Sequence, residues 1–184
     1  MRKSLLVATV SVFTGLAVLL RYAKNAITAV QFINFPLAFT AIAGARFGPF
    51  AGLLVGLLSY SLSDLLILPG LWTLVNSALA ALVGAFWGIV GRKVSGKVEL
   101  FTLAYLTTFF FDVLSSAVLY VAFGVELLKA FTLGIVGLFL PVFGGNLIGV
   151  GPITEASTAL LVCFLSKSVD QGWEFYGQAG GKPS

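Results

Sequence analysis

Apolar residues run along this chain in long blocks, and the breaks between them are short and either polar or rich in Gly and Pro. A bilayer core about 30 Å thick needs about 20 apolar residues per helix, with about 17 as a practical minimum. Ser4–Leu20 meets that minimum and stops at Arg21. The next block, Ala26–Leu68, is too long for one crossing. Arg46-Phe47-Gly48-Pro49 divides it, because a charge followed by Pro marks a tight turn. The pattern therefore predicts spans over about 4–20, 28–45, 48–67, 72–90 and 99–123, with a turn at Pro69-Gly70 and a polar loop at Arg92–Lys97.

The last third is less regular. Lys129–Gly145 is apolar but Gly-rich and contains Pro141; Ile153–Leu165 is apolar again after Gly149-Val150-Gly151-Pro152. Two short crossings would make seven helices. In the preferred reading, 129–145 is re-entrant or partly buried and the sixth span covers 146–166. Non-helical backbone is tolerated at membrane depth only inside protein or beside a cavity. The expected fold class is an all-α integral membrane protein: a six-helix transmembrane bundle with an irregular or re-entrant segment before the last helix. One transmembrane domain would occupy 1–171, with 172–184 a frayed cytoplasmic tail.

Composition strengthens this picture. Of 184 residues, 59% are hydrophobic and 10% charged, against about 25% charged in soluble domains. Mean hydropathy is +1.04. The net charge of +4 comes from basic residues scattered in ones and twos at the edges of apolar blocks, which reads as topology and not as a nucleic-acid surface. Arg2 and Lys3 before the first block imitate a secretory signal, but no small-residue cleavage site follows, so the block is read as a membrane helix. An inward N-terminus leaves Arg2, Lys3, Arg46, Arg92, Lys93 and Lys97 inside and Arg21, Lys24 and Lys129 outside. The expected location is the cell membrane, multi-pass, with both termini cytoplasmic.

Gly44, Gly48, Gly52 and Gly56 recur every four residues, and Ala80, Gly84 and Gly88 repeat the device. Small residues at this spacing let helix backbones approach closely in lipid. Ala8, Ser11 and Gly15 make a third such face on the first helix, one that would pack in the bundle or dock a second protein.

Polar residues inside apolar blocks demand partners or a cavity. Asp64 precedes the Pro-Gly turn, and Trp72, Thr73 and Asn76 follow it, so these would gather at one membrane face. Asp112, with Thr108 and Ser115 or Ser116 at helical spacing, forms a polar stripe in mid-span. Asn146 and Glu155, with Thr158 a turn later, do the same near the last span. Of the seventeen Phe residues, Phe32, Phe35 and Phe143 lie near turns, where they would stack on a ligand. The candidate binding residues are thus Asp64, Trp72, Asn76, Asp112, Asn146, Glu155 and Phe35. Arg21, Lys24 and Lys129 would attract an anionic ligand or serve as interfacial anchors. No nucleophile elbow, His-based triad, metal motif or phosphate loop is found, and neither a catalytic role nor a cofactor is expected. The lone Cys163 excludes an internal disulfide.

Asn34-Phe-Pro-Leu, Phe47-Gly-Pro-Phe-Ala-Gly-Leu-Leu-Val-Gly and Ser63-Asp64-Leu-Leu together resemble the substrate-binding (S) components of energy-coupling factor (ECF) transporters. Asn76, Leu140-Pro141 and Asn146-Leu147 also fall where such subunits carry similar residues. The resemblance implies a six-helix vitamin-binding fold with its ligand near the outer face, under the first extracellular loop. It further implies a transmembrane coupling protein and two cytoplasmic ATPases as partners. Docking would use small residues on the first helix. The family's usual Ala-x-x-x-Ala is replaced here by Ser11-x-x-x-Gly15 or the Ala8/Ser11/Gly15 face. Without histidine the chain departs from the cobalt and nickel branch. A gating loop is expected over about Arg21–Asn34. The alternatives are a stand-alone secondary transporter with an intramembrane carboxylate relay, argued against by the lack of an inverted repeat, and a non-transporting membrane scaffold.

Overall fold

Helix punctuation in the sequence sets most of the architecture. In the computed structural model the backbone is described for residues 3–28, 30–94, 96–139, 142–144, 147–149 and 151–179, and side chains for the same residues outside 142–149 and 170–179. In chain order these form α1 (Lys3–Ile27), β1 (Val30–Gln31), α2 (Phe35–Phe47), α3 (Pro49–Ile67) and α4 (Leu71–Val90). A single 3₁₀ turn over Gly91–Lys93 leads to α5 (Lys97–Ala122), α6 (Leu127–Phe139), β2 (Val142–Gly144), β3 (Leu147–Gly149) and α7 (Gly151–Ala179). The protein is all-α apart from one small sheet.

Among the described residues, α1, α3, α4 with its 3₁₀ turn, and α5 are long and apolar enough to cross a membrane. Helices α2 and α6 have 13 residues each and rise only about 20 Å, short of a bilayer core. Helix α4 turns Leu74, Leu82 and Ile89 outward, and α3 does the same with Phe50, Leu65 and Leu66. So broad an apolar surface suits lipid far better than water.

Helix α2 is the central rod. Every residue from Pro36 to Ala45 is buried, the pattern of a helix covered on all sides. Asn34 caps it by accepting the Leu37 N–H at 3.2 Å, and Pro36 sits in the first turn, where a missing N–H costs nothing. It ends at Gly48, whose φ of +102° few other residues adopt, and Pro49 opens α3 immediately. Ala38, Ala41, Ile42 and Ala45 then pack with Trp87 of α4, Ala104 of α5 and Ala159 and Val162 of α7.

The small-residue stripes are used for backbone contact. A Cβ on Gly84 would collide with the backbone of Gly52, one on Gly56 with Ala80, and one on Gly88 with Pro49. Helices α3 and α4 are accordingly the most extensive pair in the bundle. The face on α1 differs: Ala8, Ser11 and Gly15 are all exposed, and nothing lies within 4 Å of a Cβ built on Gly15.

Several boundaries differ from the hydropathy pattern. Helix α1 passes Arg21 and runs to Ile27, because the basic side chains that ended the apolar block find partners within the protein. The expected gating loop over 21–34 thus shrinks to 28–34. The expected span 28–45 begins as an extended lead-in, with helix only from Phe35. The irregular segment before the last helix resolves into α6 and the β2–β3 pair. Helix α7 continues to Ala179, into the segment 172–184 expected to fray.

Strand β3 is the centre of the sheet, with order β1-β3-β2. It pairs antiparallel with β2 (Phe143 opposite Ile148) and parallel with β1 (Val30 opposite Ile148, Gln31 opposite Gly149). The lead-in to α2 is thereby tied to the lead-in to α7, across one end of the bundle.

Candidate functional site

Two polar assemblies lie at that end. The first is a buried network that joins α1, α2, α3 and α7. Asp64, near the end of α3, forms an ion pair with Arg21 of α1 at 2.6 Å, and the side chains are 2% and 16% exposed. The other guanidinium nitrogen donates to Ser63 Oγ at 2.5 Å, and the group lies over the Tyr60 ring, 5.1 Å from its centroid. Tyr60 Oη donates to Asn34 Oδ1 at 2.8 Å, the same oxygen that caps α2. The Asn34 N–H donates to Thr158 Oγ1 on α7 at 2.8 Å. Thr73, in the first turn of α4, adjoins the Asp64 carboxylate. A charge buried this deeply is tolerated because Asp64 Oδ1 is paired with Arg21; Oδ2 has no hydrogen-bond partner among the described residues.

The second assembly surrounds a cavity of about 230 Å³ between α5, α6 and the start of α7, with β1 across it. Asp112, Ser115, Ser116 and Tyr120 supply the α5 wall, Gln31 comes from β1 and Thr154 from α7. Gly134 and Gly137 of α6 and Gly151 of α7 line it too; a Cβ on Gly151 would meet the Leu138 carbonyl and one on Gly134 the Val113 carbonyl, so these positions let the helices approach closely. Glu155 stands behind this wall, 1% exposed, close enough to Asp112 for their charges to interact and beside the Tyr105 hydroxyl. Its Oε1 has no hydrogen-bond partner among the described residues.

The cover is fastened by side chains as well as by the sheet. Thr154 Oγ1 donates to the Gln31 carbonyl and Ser157 Oγ to the Phe32 carbonyl. Lys24 Nζ reaches back from α1 to Gln31 Oε1 at 3.0 Å and to the Val30 carbonyl at 3.3 Å. Gln31 is therefore a cavity-lining residue whose backbone and side chain are both held by neighbouring helices.

The residues singled out in the sequence separate between these assemblies. Asp112 lines the cavity and Glu155 backs it. Asp64 belongs to the buried ion-pair network. Trp72 is half-buried in the α3–α4 turn, where its indole N–H donates to the Leu68 carbonyl at 3.0 Å. Asn76 is half-buried on α4 and Phe35 on the first turn of α2, and neither lines the cavity. Asn146 lies outside the described residues, as do the side chain of Phe143 and the pair Leu140-Pro141. Phe32 is exposed, with its carbonyl held by Ser157. Ser11 and Gly15 border a separate apolar groove of about 700 Å³ between α1 and α3. Arg21 and Lys24 spend their charges on Asp64 and on Gln31, and Lys129 pairs with Glu126 at 3.0 Å on the surface.

Sequence reasoning passed over Gln31, Tyr120, Thr154, Asn34 and Tyr60. A signal existed for Arg21, since an acid and a base each at a span's end invite pairing. None existed for Asn34 with Tyr60, which only the fold brings together.

Compared with protein-family profiles, with curated proteins and with solved structures, the chain matches none.

Proposed function

We propose that this chain is the membrane-embedded substrate-capture subunit of an ATP-driven importer of the ECF type, binding a vitamin-like small molecule near the outer face. The observation that carries this reading is the cavity of about 230 Å³ between α5, α6 and the start of α7, with Gln31 of β1 across it. A pocket with few convergent polar groups, roofed by a loop, is what capture requires. In this reading α1, α2 with its extended lead-in, α3, α4, α5 and α7 form a six-helix bundle. Segment α6 with the strands is the irregular backbone, sheltered by protein and beside a cavity.

Charge placement supports the orientation. Lys3, Arg46, Arg92, Lys93 and Lys97 cluster at the end opposite the cavity, where Arg46 donates to Ser166 of α7 at 2.5 Å. The positive-inside rule makes that end cytoplasmic. Release of the strand β1 cover from β3 would admit ligand from outside. The exposed Ala8/Ser11/Gly15 face and its apolar groove would meet the coupling protein, and two ATPases would supply the energy.

A second reading, a stand-alone transporter with a proton relay, is favoured by one feature: the neighbouring Asp112 and Glu155 carboxyls. Uptake into vesicles separates the two. The chain reconstituted with its coupling protein and ATPases is expected to concentrate ligand only when ATP is supplied, and the chain alone to concentrate none. Accumulation by the lone chain driven by a proton gradient would overturn the capture-subunit reading in favour of the second.

A further inference from the structure

The chemistry of the cavity wall narrows the substrate class, an inference that rests on the capture reading above. Its lining carries one ionisable acid, Asp112, with the Ser115, Ser116 and Thr154 hydroxyls, the Gln31 amide and the Tyr120 ring. Glu155 adds a second carboxyl from behind. Among the described residues neither acid forms an ion pair. The three basic residues at this end of the bundle are engaged elsewhere: Arg21 with Asp64, Lys24 with Gln31 and the Val30 carbonyl, Lys129 with Glu126. The lining therefore has acid and no base.

Two neighbouring carboxyls without a cation repel when ionised, and withdrawal from water adds a desolvation cost, larger for Glu155 at 1% exposed than for the half-buried Asp112. A positive ligand group relieves both effects. An anionic ligand would meet acid and no basic residue in the lining, which is costly in a low-dielectric interior. Glu155, 1% exposed and behind the lining, keeps one carboxylate oxygen, Oε1, without a hydrogen-bond partner among the described residues. The Tyr120 ring adds an aromatic surface suited to a cation. The volume of about 230 Å³ falls below the roughly 300–1,000 Å³ usual for ligand pockets, which excludes a dinucleotide-sized molecule.

We infer that the cavity takes a compact organic cation, such as a protonated amine or a heteroaromatic cation, with its charge against Asp112 and in the field of Glu155. This reverses the direction in which the scattered basic residues of the sequence point, because those residues are already paired.

The test uses the full chain in lipid nanodiscs. Mass spectrometry identifies any small molecule retained on purification, and thermal stability is measured with 1-methylnicotinamide, choline and thiamine as cations, nicotinamide as a neutral probe, and nicotinate and pantothenate as anions. The expected result is a retained or stabilising cation whose apparent affinity falls about tenfold or more in Asp112→Asn, and measurably in Glu155→Gln. Monodisperse elution of both variants separates lost binding from lost fold. Neutral or anionic molecules alone, or cation binding unchanged in Asp112→Asn, would overturn the charge inference and leave the capture reading standing. No retained molecule and no response to any probe would overturn both.

Discussion

Replacing Arg21 by Leu is expected to destabilise the folded chain by about 3–5 kcal/mol, because it leaves the Asp64 carboxylate buried without a counter-charge. Asp64 is 2% exposed and paired at 2.6 Å, and its second neighbour in the network, Ser63, binds the same guanidinium. Asp64→Leu should be similarly harmful, since it strands the guanidinium. The double variant Arg21→Leu/Asp64→Leu removes both charges together and should recover much of the loss, as expected when a buried pair gives way to apolar packing. Denaturation of purified chains in detergent, followed by tryptophan fluorescence, measures all three. A loss in the double variant equal to the sum of the two single losses would show that the pair is not coupled. The network also fixes the register of α1 against α3, so the single variants should loosen the lead-in that Lys24 and Asn34 hold.

The second large effect concerns the backbone junction of α3 and α4. Gly84→Val should cost at least about 3 kcal/mol, the upper range for overpacking, because the new atoms meet the Gly52 backbone, which cannot rotate away. Gly52→Val should behave alike, and Gly44 shares the crossing through its own contact with Gly84. Gly15→Ala provides the contrast. It carries the same small-residue signature on α1, yet the space around it is open, so the lone chain should keep its stability within about 0.5 kcal/mol. The same denaturation measurement decides. A tolerated Gly84→Val would mean that α3 and α4 do not touch by backbone.

These two cases also mark how much was legible in the sequence. Periodic Gly announced close packing correctly at 44, 52 and 56, where a Cβ would meet neighbouring backbone, whereas Gly48 serves the turn between α2 and α3 at φ +102°. The same signal on α1 carried no information about whether the face is covered, because periodicity identifies a face and not its neighbour. Apolar block length located α3, α4 and α5 within a few residues. It failed at α1, where Arg21 and Lys24 ended the block but not the helix. Length rules assume that a basic side chain seeks water, and here Asp64 and Gln31 take that place. The strands at 142–144 and 147–149 were hidden because Gly-rich apolar sequence fits a re-entrant loop, a helix or a strand alike. Asp112 and Glu155 were legible as buried acids in need of an explanation. Their proximity was not, since it depends on how α5 crosses α7. Asp64 gave the same signal for a different reason, a structural ion pair.

The cavity under β1 is the centre of the functional account, and one measurement addresses it most directly. Native mass spectrometry of the lone chain released from nanodiscs reports bound small molecules by mass. Wild type should carry one small molecule per chain. Ser116→Phe, which fills the cavity between α5 and α6, should carry none while eluting as a folded species. Ser11→Phe, placed in the separate groove between α1 and α3, should retain the molecule at wild-type occupancy. An empty wild-type chain, or a Ser116→Phe chain as fully loaded as wild type, would contradict the assignment of this cavity as the capture site.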